Sequence, residues 1–346
     1  MFFELDDIRR RHSLYFDCYN AGVWTDAPEN SLRWNYTRGA ISGLLGSLIG
    51  ETWHNFYENW KLLLRQYEQP NTVKELYNFS KATVNLENFK RSMGTRMQFA
   101  FASGGIDWAL RLAAFRAVNH GWQRTWGTFE YGFLRKVPGT VFISLLTAPI
   151  GIPFEVARMA YYADKTFPKE LQKGYTSFFN ALWRIPFEEG PYYFFKNSFP
   201  LFARNFFQTL TLFYSFDWMK DKLSVLTRVA EIPYFPVKIV NCFLSTYLAI
   251  LTSYSLSQVT REMVDLWPKQ NGVCPYDGNY RKAATHIWYA RNLNNYFPGM
   301  LRNYASRQFL PMFVTLWWAD SFGLFTYWKI DMFSGAGSNT WEDSFC

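Results

Sequence analysis

The sequence predicts an all-α membrane protein assembled from three related repeats, each with two long helices. Three observations carry that class. First, Pro153-Phe154-Glu155-Val156-Ala157-Arg158 places a proline just ahead of an acid and a base. Proline kinks a helix by deleting a backbone hydrogen bond, and residues three apart share a helical face. Three such helices around a cavity would bring acid and base ends together as a closable ring. Second, basic residues in the same relation, Lys61, Arg158 and Arg261, recur at separations of 97 and 103 residues, the mark of one supersecondary unit repeated. Third, three stretches, at about 31–66, 132–164 and 236–267, enter through small or apolar residues and finish in polar, charged turns.

Taken in order, an extension at 1–30 precedes repeats at 31–125, 126–228 and 229–333, and a tail at 334–346 follows. The first helix of each repeat is expected at 31–66, 132–164 and 236–267, and its partner at 89–120, 195–226 and 296–328. Each pair flanks a shorter surface helix, clearest at 175–186. At about 1.5 Å per residue, about 20 residues cross the hydrocarbon and the rest project from it. The mean hydropathy of -0.18 would equally suit a large soluble helical protein. A ring lined by polar groups needs only an apolar outer face, so it tolerates that value. Gly39, Gly43, Gly46 and Gly50 form a small-residue face with two G-x-x-x-G spacings, read as close helix packing. Aromatic residues reach 21%, which suits lipid-facing surface and interfacial belts.

The net charge of +8 is dispersed and comes with no nucleic-acid-binding motif, so nucleic acid is not expected as a partner. The cysteines Cys18, Cys242, Cys274 and Cys346 lie far apart, and with the four histidines they offer no metal-ligand spacing and no disulfide framework. No phosphate-binding loop, dinucleotide fingerprint or nucleophile elbow is present, so the sequence gives no basis for an enzyme or a catalytic cofactor. The segment 1–11 mixes acids with Arg9, Arg10 and Arg11 and lacks an apolar core, unlike a cleaved signal or transit peptide.

The string around Pro153 resembles the signature of the mitochondrial carrier family, solute exchangers of the inner mitochondrial membrane. After the proline-acid-base step that family places an acid-glycine turn, an aromatic-basic-glycine step and a proline. Here Glu189, Gly190, Phe195, Lys196 and Pro200 stand at those offsets, with Asn197 in place of the glycine. The other repeats are worn. Phe56-Tyr57-Glu58-Asn59-Trp60-Lys61 lacks the proline, and Leu256-Ser257-Gln258-Val259-Thr260-Arg261 keeps only the base. The resemblance implies six transmembrane helices in three pseudo-symmetric repeats with short matrix-side helices, in the inner mitochondrial membrane.

It also implies roles. Phe199-Pro200 with Arg204-Asn205 returns as Phe297-Pro298 with Arg302-Asn303, and Arg96 holds the corresponding place in the first repeat. Family positions like those of Arg96, Arg204 and Arg302 face the central cavity and contact substrate. One gate would draw on Glu58, Lys61, Glu155, Arg158, Gln258 and Arg261, with Pro153 as the helix kink. The other survives once, as Asp217 and Lys220; Phe115-Arg116-Ala117-Val118-Asn119 and Ala319-Asp320-Ser321-Phe322-Gly323 stand at its other two places. Tyr175 and Ser177, with Lys196 and Asn197, match the places where the family holds cardiolipin phosphates, so bound cardiolipin is expected.

Two functions from different classes follow. With both gates incomplete, the first reading is a carrier fold reused as a non-transporting accessory subunit of an inner-membrane assembly such as a respiratory-chain complex. The alternative is an active antiporter of a small anion, a nucleotide or a carboxylate. The arginine series supports it, because guanidinium forks bind such groups in bidentate fashion.

Overall fold

A computed structural model describes residues 32–67, 70, 72–126, 137–166, 170, 172–195, 198–220, 223, 234–265, 279–290 and 301–325. All regular structure among these residues is helical. In the first repeat α1 (Leu32–Gln66) is followed by the short α2 (Val73–Asn85), then by α3 (Glu87–Ala102), a π-helical stretch Ser103–Trp108 and α4 (Ala109–Trp126), which run on without a break. In the second, α5 (Val137–Thr166) leads to the short α6 (Phe178–Glu188). Next come a single 3-10 turn, α7 (Phe199–Thr209) and a second π-helical stretch, Leu210–Tyr214. In the third, α8 (Tyr234–Asp265), the short α9 (Tyr280–Ala290) and α10 (Leu301–Ser321) keep the same order.

The long helices pack in chain order and then return on themselves. The α3–α4 helix lies on α1, α5 on α4, α7 on α5, α8 on α7, α10 on α8, and α10 on α1. Six long helical segments therefore close a ring among the described residues. The glycines of α1 explain how it sits between two neighbours. A Cβ at Gly43 would fall 2.4 Å from the Gly104 carbonyl oxygen, and one at Gly39 would fall 3.0 Å from that of Ala109. A Cβ at Gly46 would fall 2.0 Å from Thr315 Oγ1, and one at Gly50 would fall 2.5 Å from Pro311 Cβ. The first G-x-x-x-G pair thus admits the second helix of its own repeat, and the other pair admits the last helix and closes the ring.

Every second helix carries a backbone irregularity at a matching place: the two π stretches, and Pro311 inside α10. Each breaks the regular hydrogen-bond ladder and re-aims the side chains around it. In α5, Pro149 and Pro153 both lie inside the helix. The short helices are capped locally. Thr72 and Glu75 form a reciprocal capping box on α2, and Ser177 Oγ accepts the Asn180 N–H on α6.

Phe115, Phe213, Tyr214, Phe216 and Phe325 form an aromatic core at one end of the ring, each contributing about 1.5–3 kcal/mol by burial. A second core joins Phe99 and Ala157 to Tyr175, Phe178, Ala181 and Ile185 of α6 and the loop before it. The segments Val137–Lys165 and Phe235–Thr260 are long and apolar enough to cross a membrane. Phe142, Leu145 and Leu146 on the first, and Val240, Phe243 and Leu244 on the other, are exposed.

Candidate functional site

Inside the ring lies a small polar cavity of about 60 Å³ whose walls come from α1, the α3–α4 helix, α5, α7 and α10. Its charged lining is Glu51, Asp107, Arg111, Glu155, Arg158, Arg204 and Arg307, with Asn205, Gln208 and Gln308 among the neutral polar groups. The cavity walls are organised by helical phase. Glu51, His54 and Glu58 share one face of α1 at spacings of three and four, while Glu155 and Arg158 share a face of α5.

The charges are taken up in pairs, some across helices and some within one turn of a helix. Arg158 Nη2 lies 2.7 Å from Glu51 Oε1, and the Arg158 guanidinium rests 4.1 Å from the centre of the Phe99 ring. Arg96 Nη1 lies 3.2 Å from Glu51 Oε2, and its other amino group binds Glu58. His54 Nε2 stands 2.9 Å from Glu58 Oε1. Arg204 Nη2 reaches Glu155 Oε1 at 3.4 Å and Asn205 Oδ1 at 3.1 Å. Asp107, in the first π stretch, binds Arg111 at 2.8 Å. Two of the arginines expected to meet substrate therefore hold the two carboxylates expected at the gate, Arg96 with Glu58 and Arg204 with Glu155.

Lys61 Nζ lies 4.1 Å from the Tyr57 ring centre. Gln258 is buried in α8. Arg261 and Arg302 lie on α8 and α10, but their side chains fall outside the described residues.

A second ionic cluster closes the other end. Lys220 Nζ lies 2.5 Å and Lys238 Nζ 3.1 Å from the two oxygens of Asp320. Lys238 also donates to Ser321 Oγ at 2.7 Å and sits 4.4 Å from the Trp317 ring centre. Asp217 is buried near this end, yet the bridge that Lys220 makes runs to Asp320, on the second helix of the next repeat. Asp320 and Arg307 are 13 residues apart on α10, so about 20 Å of helix rise separates this cluster from the cavity.

At the expected lipid site, the Lys173 and Tyr175 amides donate to Asp164 at 2.5 and 3.0 Å. Ser177 satisfies one α6 amide itself. Lys196 and Asn197 lie outside the described residues.

Sequence reasoning missed Glu51, His54, Asp107, Arg111, Arg307 and Lys238. Three carried a readable signal. Glu51 lies two turns before Glu58, Arg111 lies one turn after Asp107, and Lys238 is a lone cation at the head of an apolar helix, a position where charge is costly. Among the described residues Arg307 makes no ion pair, and its buried Nε has no hydrogen-bond partner. The chain matches no protein-family model and no curated protein.

Proposed function

We propose that this chain is a divergent member of the mitochondrial carrier family, multi-pass in the inner mitochondrial membrane. There it serves as a non-transporting structural subunit of a larger assembly, a respiratory-chain complex being the leading candidate. One observation carries the reading: ion pairs are made at both ends of the ring at once. Asp320 ties together two lysines at one end, while Glu51, Glu58 and Glu155 take Arg96, Arg158 and Arg204 at the other. An exchanger must break one set as it forms the other, and separating a buried pair costs about 3–5 kcal/mol. The worn first and third copies of the motif fit a ring that no longer cycles. Cardiolipin around the ring belongs to the same reading.

Native gel migration of the protein from gently solubilised mitochondrial membranes, with mass spectrometry of the band, tests it. Stoichiometric migration with a respiratory complex is expected. Migration as an isolated 40.8 kDa chain plus detergent would defeat the structural role.

Arg307 favours the second reading, an antiporter of a small anion. Arg307 lines the cavity with Arg158 and Arg204, whose charges are matched by Glu51 and Glu155, so among the described residues it is a cavity cation left for a carboxylate or phosphate. Exchange of labelled nucleotides or carboxylates by liposomes holding the purified chain, abolished by Arg307→Ala, is the result that reading requires.

A further inference from the structure

Beyond α10 the chain turns back into the ring. Gly323 takes φ +70°, the left-handed backbone that ends many helices and that glycine adopts without a Cβ penalty. Its N–H donates to the Asp320 carbonyl, and the Leu324 N–H donates to the Ala319 carbonyl, both at 2.9 Å. These two bonds close the helix end as a Schellman cap. They bring Leu324 and Phe325, both wholly buried, back against the end of α10.

Phe325 then meets the other two repeats. Its ring centre lies 5.4 Å from that of Phe115 in the first repeat, and 5.8 Å and 4.7 Å from those of Phe213 and Phe216 in the second. The second helices of the repeats alternate with the first helices around the ring, so a side chain that joins them crosses its interior. Phe115 and Phe216 fill the aromatic place of the second-helix motif, where the third repeat has Ala319. Phe325 supplies the ring that Ala319 lacks. Polar bonds tie the same turn to every repeat. The Asp320 carboxylate takes Lys220 of the second repeat and Lys238 of the third, Ser321 Oγ accepts from Lys238 at 2.7 Å, and the Phe325 carbonyl accepts from Arg116 Nη1 of the first repeat at 3.5 Å.

We propose that the turn at 320–325 is a built-in latch: Phe325, seated by the left-handed Gly323, holds this end of the ring shut. The aromatic contacts make the apolar part of the closure and Asp320 the ionic part. Both depend on one turn, so losing its conformation releases both. A latched end suits a ring that does not cycle, yet the latch is read by solvent access and not by membership of a complex, so either reading can fail alone. Cys242, wholly buried in the same aromatic core, is a native reporter. The full chain, with its other cysteines replaced by serine, is purified in mild detergent and exposed to a small charged thiol reagent, and labelling of Cys242 is timed by mass spectrometry.

A Cβ on Gly323 would meet no atom within 4 Å, so substitutions there test the backbone conformation alone. Gly323→Asn, which tolerates the left-handed region, should label as slowly as the parent. Gly323→Val, β-branched and strained in that region, should label about tenfold faster or more. Phe325→Ala should be faster again. Ala157→Cys, a reporter in the second core on a chain whose Cys242 is also replaced, should stay slow in every background. Equal labelling of Gly323→Val, Phe325→Ala and the parent would overturn the latch, as would Gly323→Asn labelling as fast as Gly323→Val. Parallel acceleration at the Ala157→Cys reporter would also overturn it, since Phe325 would then be ordinary packing whose loss loosens the whole ring. Gly323→Val decides the question if Phe325→Ala fails to fold.

Discussion

The two ionic clusters solve one problem, charge inside a helical ring, in opposite ways. Around Glu51 the charges are many and shared. Arg96 reaches both Glu51 and Glu58, Glu51 reaches both Arg96 and Arg158, and Phe99 supports Arg158. Around Asp320 a single carboxylate answers two lysines that are almost wholly buried. A shared network loses one contact at a time, whereas a hub loses everything with its centre. The contrast also follows residue type, since arginine forks divide their bonds among several acids while a lysine acts as a point charge.

Breaking the hub should have the largest effect. Asp320→Asn keeps the shape of the side chain and removes the carboxylate that Lys220 and Lys238 both meet, at a cost of about 3–5 kcal/mol. The expected outcome is a large drop in the thermal midpoint of the purified protein in detergent, or failure to accumulate in the membrane. A midpoint near that of the parent would show that other groups carry the two lysines.

The network should give way by less. Glu51→Gln deprives Arg158 of its carboxylate but leaves Arg96 on Glu58, so the loss should be about 1.5–3 kcal/mol, the range for a hydrogen bond to a charged group. Parallel melts of Glu51→Gln and Asp320→Asn check the order, and the comparison fails if Glu51→Gln is the more damaging. Smaller again is Arg204→Lys. That substitution retains charge near Glu155 and loses only the fork that also reaches Asn205, so about 1 kcal/mol or less is expected from the same melts.

Much of the ring was legible because it rests on period. The repeat spacing shows as matching residues about 100 positions apart, and the small-residue face of α1 as glycines every three or four positions, both of which a sequence displays directly. The all-helical class and the long helix of each repeat follow from the same signal, with α1 at Leu32–Gln66 against an expected 31–66. Partners across the ring were harder to read. The motif stands once, at Asp217 and Lys220, with Asp320 at the matching place of the third repeat, and the ring sets Lys220 beside that Asp320, 100 residues along the chain; Lys238, which also meets it, lies outside any motif. Glu51 escaped notice because it falls outside the motif, although it shares a face with Glu58. The π stretches left no mark that propensity could detect, since Gly104 and Gly105 in one are matched by Leu210 and Thr211 in the other.

The smallest expected effect is the sharpest test of what the Asp320 cluster is for. Replacing Lys220 and Lys238 by Met and Asp320 by Leu together removes two cations and one anion of similar bulk and leaves no member of the cluster unpaired. Such exchanges of buried ionic groups for packed apolar ones are often neutral or stabilising by about 1–4 kcal/mol. A structural ring should therefore tolerate the triple replacement, with an unchanged or raised melting point and undiminished migration with its assembly. A gate should not, because a purely apolar closure has no ion pairs to exchange with those around Glu51. If the triple variant melts like the parent yet loses solute exchange in liposomes, the cluster is a moving part and the antiporter reading gains. If it melts like the parent, still joins the complex and shows no exchange before or after replacement, the cluster contributes only to closing one end of the ring.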